Sequence, residues 1–176
     1  MNYSIFFLLL LWVISGTAAI SPVTLKPGPN YLDLNHDGTK DLVVMAQFDN
    51  NTSHPNIGLT FFIRCTGGGY CIMPVANSNL FTWFDYRLSA DAEFLVQDNR
   101  LFQYKNRFYL ISVQKVGDDV FESGKIEIKI YKFSESRDDP GVPLYDWTLH
   151  KKALTKKEYL SATEAYQDID VGLLDD

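Results

Sequence analysis

Nine residues, Asp33-Leu34-Asn35-His36-Asp37-Gly38-Thr39-Lys40-Asp41, carry oxygen side chains at a spacing that suits a hard cation. Oxygens at loop positions 1, 3, 5 and 9, the Thr39 carbonyl at position 7 and Gly38 at position 6 match the first part of an EF-hand-like calcium loop. The match ends at position 12, where Val44 replaces the bidentate Glu, and the flanks read as strands rather than helices. Two expectations stand for Asp33, Asn35, Asp37, Thr39 and Asp41. Either they hold calcium as a weak cofactor site, as extracellular modules do, or they form an Asx-rich hairpin whose side chains bond their own backbone.

A second polar loop runs Asp49-Asn50-Asn51-Thr52-Ser53-His54-Pro55-Asn56. Its hydrogen-bonding side chains make Asp49, Asn51 and His54 candidate ligand contacts, with an ordinary surface turn as the other reading. Asn50 and Asn51 each start an N-x-S/T sequon, relevant only where the source glycosylates. The run Phe81-Thr82-Trp83-Phe84-Asp85-Tyr86-Arg87 adds ring faces and a guanidinium. Trp83, Tyr86 and Arg87 could hold a planar ligand whose carboxylate meets Arg87 through two parallel hydrogen bonds, and core packing of the rings is the alternative.

Hydrolase signatures are missing. His36, His54 and His150 are scattered without H-x-H or H-E-x-x-H spacing, so a zinc hydrolase lacks its ligands, and G-x-S-x-G does not occur. Ser112-Val113-Gln114-Lys115 spells S-x-x-K, but in a strand the serine and lysine point to opposite faces and cannot act as nucleophile and base. Cys65 and Cys71 bracket Thr66-Gly67-Gly68-Gly69-Tyr70, between strand-like segments. A disulfide closing a hairpin is expected, because the spacing suits neither a C-x-x-C redox motif nor a paired metal site.

The elements that position these groups read as strands. Lys125 to Phe133 alternates, with Ile126, Ile128 and Ile130 on one face. Leu101 to Tyr104 and Arg107 to Lys115 flank Lys105-Asn106 as a hairpin, with Asn tolerating positive φ. Asp41 to Phe48, Leu59 to Ile63 and Leu144 to Leu149 complete the strand set. Helix signals are confined to the C-terminus, where Thr155 to Glu158 and Ser161 to Glu164 have capping-box spacing, and Asp168 to Asp176 is expected to fray. The expected fold is mainly β, an antiparallel β-sandwich-like sheet with short C-terminal helices.

Of 176 residues, 46% are hydrophobic and 14% aromatic, which excludes disorder and coiled coil. The net charge of −6 argues against a nucleic-acid partner or an anionic membrane surface. No charged side chain precedes Lys26, and Ile5 to Gly16 is apolar and ends in Thr17-Ala18-Ala19. Residues 1–19 therefore read as a secretory signal peptide and 20–176 as a single β-rich domain with no stable membrane anchor after cleavage. An uncleaved anchor is the alternative, although the run to Ile20 has about 16 residues where a spanning helix needs ~20.

Taken in order, Tyr31 to Val44, Phe48 to Pro55, Leu59 to Phe62, Asp85 to Ala92 and Pro143 to Trp147 resemble the carbapenem intrinsic-resistance proteins of the CarG type. The resemblance spans most of the chain after residue 20; the Cys65 to Cys71 loop has no counterpart in that pattern. It implies a bacterial periplasmic protein that confers tolerance to a carbapenem without hydrolysing it, with the drug or a cell-wall target protein as partner. It brings no catalytic residues, so no enzyme activity is expected. Two other classes compete. One is a non-catalytic exported carbohydrate- or peptidoglycan-binding β module; the other is an enzyme using carboxylates such as Asp91 or Glu93.

Overall fold

The structure, a computed structural model, describes residues 19–49, 54–88, 91–117, 119–136 and 140–175, without the side chains of 91–93. The signal-peptide expectation, apart from Ala19, and the candidate contact Asn51 lie outside them, as do the side chains of Asp91 and Glu93. Two antiparallel sheets face each other, so the β-sandwich expectation holds. The first has the order β1 (Ser21–Pro22), β8 (Asp91–Tyr104), β9 (Arg107–Val116), β10 (Lys125–Glu135) and β11 (Tyr145–Leu154), with β7 (Tyr86–Leu88) also pairing β8. The second has the order β2 (Gly28–Leu32), β3 (Asp41–Phe48), β4 (Asn56–Arg64) and β5 (Tyr70–Ile72), with β6 (Thr82–Phe84) also pairing β4. Among the described residues no helix is long and apolar enough to cross a membrane.

Burial explains why the two sheets have different sequence patterns. Between them lies a core of Val43, Phe61, Ile63, Leu101, Leu110 and Trp147, in which the Phe61 and Trp147 rings meet edge-on at 5.1 Å. The first sheet is covered on its other face too, where Ile111, Val113, Ile126, Ile128 and Ile130 pack under Tyr159, Ala162, Ala165 and Leu174 of the C-terminal segment. Strand β9 is therefore buried without a break from Phe108 to Val113, as a two-sided strand must be. The second sheet keeps one face toward solvent, which leaves Tyr31, Tyr70, Ile72 and Phe84 exposed.

The Lys105-Asn106 turn has φ of 47° and 59°, the two positive values that a two-residue hairpin of this twist requires. Of the two capping boxes, only the second starts a helical turn. Ser161 N–H donates to Glu164 Oε1 at 2.9 Å, and a 3-10 helix runs over Ala162–Asp168. Thr155 instead serves the sheet: its hydroxyl accepts from Ile126 N–H and donates to the Lys157 carbonyl, and Tyr159 bridges back to Gly124. Up to Asp175 the C-terminal segment is docked and does not fray as expected, and Asp176 lies outside the described residues. A helical turn, α1 (Val171–Leu174), docks with Leu174 buried, and Lys105 and Lys151 hold its end through the Asp175 carboxylate and the Gly172 carbonyl.

Candidate functional site

The chain passes from the second sheet to the first through a single residue, Asp85, which stands between β6 and β7. Asp85 fixes this crossing to β4: its N–H donates to the Ile57 carbonyl at 3.0 Å, and its Oδ1 accepts from Ile57 N–H at 2.8 Å. On β8, Gln97 and Asn99 both donate to the Phe84 carbonyl, at 3.2 and 2.8 Å. The two sheets are thereby tied at one end of the sandwich.

Beside this tie lies a cleft of about 210 Å³. Met45, Ile57 and Leu59 wall it from the second sheet and Leu95 and Leu101 from the first, and Arg87, Asn99 and the ion pair of Asp98 with Arg100 are its polar lining. Two buried acceptor atoms here lack a hydrogen-bond donor, Asn99 Oδ1 and Asp85 Oδ2. Asn99 is 6% exposed and Asp85 7%. Arg87 Nε stands 3.8 Å from Asp85 Oδ2, an ion pair too long for a hydrogen bond. Burial pushes the Asp85 carboxyl above its ordinary range, and the Ile57 N–H and the Arg87 charge oppose that push. Buried polar atoms are normally satisfied, so the unpaired Asn99 Oδ1 in the cleft lining, with Asp85 Oδ2 near it in the seam, makes this end the candidate site.

Several expected contacts gather at this end. Arg87 lines the cleft, and Tyr86 beside it is 53% exposed. The loop after β3 enters β4 at Asn56 and Ile57, the segment Asp85 grips, with Asp49 exposed and His54 half-buried on its two sides. Trp83 does not join them. Strand alternation turns it inward opposite Leu59, where it is 6% exposed and packs edge-on against Tyr131 at 5.1 Å, so it is a core residue and not a ligand-facing ring. Its neighbour Phe84 takes the exposed aromatic position, against Phe48 at 5.7 Å. Sequence reasoning missed Asp85 and Asn99 as site residues. The available signal for Asn99 was a polar run, Gln97 to Arg100, between the apolar stretches Phe94 to Val96 and Leu101 to Phe102.

The Asp33 to Asp41 loop lies at the opposite end. Asn35 Oδ1 accepts from Asp37 N–H, Asp37 Oδ1 from Thr39 N–H and Asp33 Oδ2 from Gly38 N–H, at 3.2, 2.7 and 3.0 Å. Backbone bonding to Thr39, then the Asn35 amide, holds the Asp37 carboxyl below its ordinary range. Asp41 is fully buried, and its two oxygens accept from Leu34 N–H at 2.8 Å and Arg64 N–H at 2.9 Å. The geometry is that of an Asx-rich hairpin, with Asp33 Oδ1 the one carboxylate oxygen there that is buried without a partner. Among the described residues no three His, Cys, Asp or Glu side chains are grouped to hold a metal ion. Asp33, Asn35, Asp37 and the Thr39 carbonyl remain the groups that could meet calcium at the surface, while Asp41 is committed to the backbone.

Cys65 and Cys71 form the expected disulfide, with Cα atoms 5.7 Å apart, and Gly67, Gly68 and Gly69 between them all have positive φ, as this tight ring requires. Ser112 and Lys115 lie on opposite faces of β9. Lys115 Nζ is spent on the carbonyls of Val120, Glu122 and Leu160 at 2.8, 2.5 and 2.9 Å, so this pair has no nucleophile–base geometry.

A family model described as carbapenem resistance protein CarG-like matches residues 25–168. A solved structure, the crystal structure of CarG, matches with a TM-score of 0.85 and 60% identity, covering 89% of this chain and 99% of that one. No curated protein matches.

Proposed function

Because this chain belongs to the CarG-like family of carbapenem resistance proteins, we propose that it acts after export, in the periplasm, and protects its host by binding rather than by hydrolysing the drug. One observation carries the reading: the described lining of the cleft beside Asp85 supplies groups suited to recognition. Its described lining has apolar walls, the buried Asn99 amide and the Asp98 carboxylate, which pairs with Arg100, and it holds no Ser, Thr, Cys, His or Lys side chain. What binds is a carbapenem or the cell-wall protein that the drug attacks.

The test is a pair of measurements on one preparation. Expression with export intact raises the carbapenem concentration that the host survives, while the purified protein, given a known excess of drug, leaves the β-lactam absorbance of that excess unchanged. Turnover of the excess overturns the non-hydrolytic reading. Loss of protection when export is blocked supports action in the periplasm, and full protection without export refutes it.

A further inference from the structure

At the end of the sandwich opposite Asp85 a second cavity stands apart from the cleft, and what it receives does not depend on the binding reading above. Its origin lies in the pairing of β9 with β10. That ladder closes at Tyr109 and Lys132, so Arg107 and Phe108 on one strand and Phe133 on the other stand past the last pair. A cavity of about 190 Å³ opens there, bordered by Leu34 and His36 of the β2–β3 loop. Because it lies where the ladder stops, both faces of the first sheet contribute to it. Phe108 and Phe133 come from the face that packs in the core between the sheets, and Arg107 and Lys132 come from the other, which Tyr109 shares.

The apolar part suits a ring. The His36 and Phe108 rings are stacked, 13° from parallel with centroids 5.8 Å apart. His36 reaches this position with φ of 60°, a left-handed backbone that a non-glycine residue adopts at a cost. The volume exceeds the roughly 150 Å³ of a protein cavity that accepts benzene, so one substituted ring is admitted.

The charged part has one sign. Arg107 and Lys132 line the cavity and no described carboxylate does. They are diagonal neighbours across the ladder, roughly 7–8 Å apart, a gap that a carboxylate can bridge. Among the described residues nothing forms a hydrogen bond or an ion pair with the Arg107 guanidinium. The carboxylates of the neighbourhood lie elsewhere: Asp175 is held by Lys105 at 2.7 Å, and Asp37 and Glu135 border an adjoining space that shares Asn35, His36 and Phe133.

We propose that this cavity is a binding site for a ring that bears a carboxylate. The ring lies among His36, Phe108 and Phe133, and the carboxylate meets Arg107 through two parallel hydrogen bonds, with Lys132 as the second cation.

Benzoate is the probe, benzamide the neutral ring of the same shape, and acetate the carboxylate without a ring. Binding is read from chemical-shift changes of the His36 ring and the Leu34 methyls. In the native protein benzoate binds at least about tenfold more tightly than either control. Arg107→Gln lowers the benzoate affinity about tenfold and leaves that of benzamide unchanged, because only charge-assisted bonds are lost. Arg107 is exposed, so this variant keeps the native Tm and its loss of binding is not a loss of fold. His36→Gly, read on the Leu34 methyls, suits the left-handed backbone and removes one wall of the slot; it weakens benzoate and benzamide together and spares acetate. Benzoate that binds no better than benzamide, or that keeps its full affinity in Arg107→Gln, overturns the carboxylate assignment. Acetate that binds as tightly as benzoate overturns the ring slot, and the absence of any shift at saturating benzoate overturns the site. Each of these outcomes leaves the drug-protection measurements above untouched.

Discussion

Asp41 offers the sharpest test of how this sequence holds its shape, because one side chain closes two connections. Its carboxylate accepts Leu34 N–H from the β2–β3 loop at 2.8 Å and Arg64 N–H, beside the Cys65–Cys71 ring, at 2.9 Å, and it is fully buried. Hydrogen bonds to a charged group contribute about 1.5–3 kcal/mol each, so the two together are worth roughly 3–6 kcal/mol before the cost of burying the charge. That cost is real: burial is the largest influence on Asp41 and raises its pKa despite both bonds. Asp41→Ala removes the buried charge but strands two backbone donors, and a net loss of about 3 kcal/mol is expected, or ~6–12 °C in Tm for a domain of this size. Asp41→Asn keeps one acceptor and turns an amide N–H toward the other donor, so about 2 kcal/mol is expected. Urea and thermal unfolding measure both, with an unchanged m-value showing that the native state kept its extent. Losses below about 0.5 kcal/mol in both variants would refute the reasoning. The same losses are expected in calcium and in chelator; a deficit that vanishes in chelator would instead make Asp41 a metal ligand.

In the native protein, millimolar calcium and excess chelator are expected to give the same Tm, because most oxygens of the Asp33 to Thr39 loop already serve its own backbone; a calcium-dependent rise would restore a metal site there. Lys115→Met strands three carbonyls and should lower stability by about 2 kcal/mol in a denaturant titration; a variant as stable as the native protein would show that the buried ammonium costs as much as its bonds return. Thiol titration of the unfolded, unreduced protein should find no free thiol, and replacing both Cys65 and Cys71 by Ser should cost about 2 kcal/mol, the chain-entropy value for so short a ring. Burial, the largest influence, raises the Asp98 carboxyl against the pull of Arg100. A raised acid binds its proton more tightly folded than unfolded, so its contribution to stability falls as pH rises from the ordinary carboxylate value through the raised one. Asp98→Asn should flatten that part of the stability–pH curve, and an unchanged slope would rule the group out as its source.

What the sequence made legible was the local pattern. The alternation of Ile126, Ile128 and Ile130, the Lys105-Asn106 turn and the cysteines around three glycines each determine a structure within a few residues, and each is found. The misses have a common cause in distant partners. Thr155 has a capping-box neighbour in Glu158, but its hydroxyl meets Ile126 N–H, 29 positions away, and the sheet wins over the helix. Trp83 and Phe84 are indistinguishable by type. Only the pairing of β6 with β4 decides that Trp83 faces Leu59 in the core and Phe84 faces out. The expectation of a frayed C-terminus failed for the same reason, since Leu174 is buried against residues of β9 and β10 that periodicity alone cannot assign to it.

The location of the cleft follows from this division of labour between the sheets. The first sheet is packed on both faces, by the second sheet and by the C-terminal segment, and has little inner surface left to offer a ligand. Where the chain leaves the second sheet at Phe84 and joins the first at Tyr86, however, the edge strands β6 and β7 are only three residues each, and the sheets are held by side chains rather than by a continuous ladder. Asp85 and Asn99 supply those ties, each with one oxygen or nitrogen engaged and one oxygen left over. A residue kept only to join the sheets would have no reason to bury an unsatisfied acceptor, which is expensive at such a site. The unpaired atoms are therefore what makes this seam the candidate site, since a donor entering it would meet acceptors that the fold leaves open.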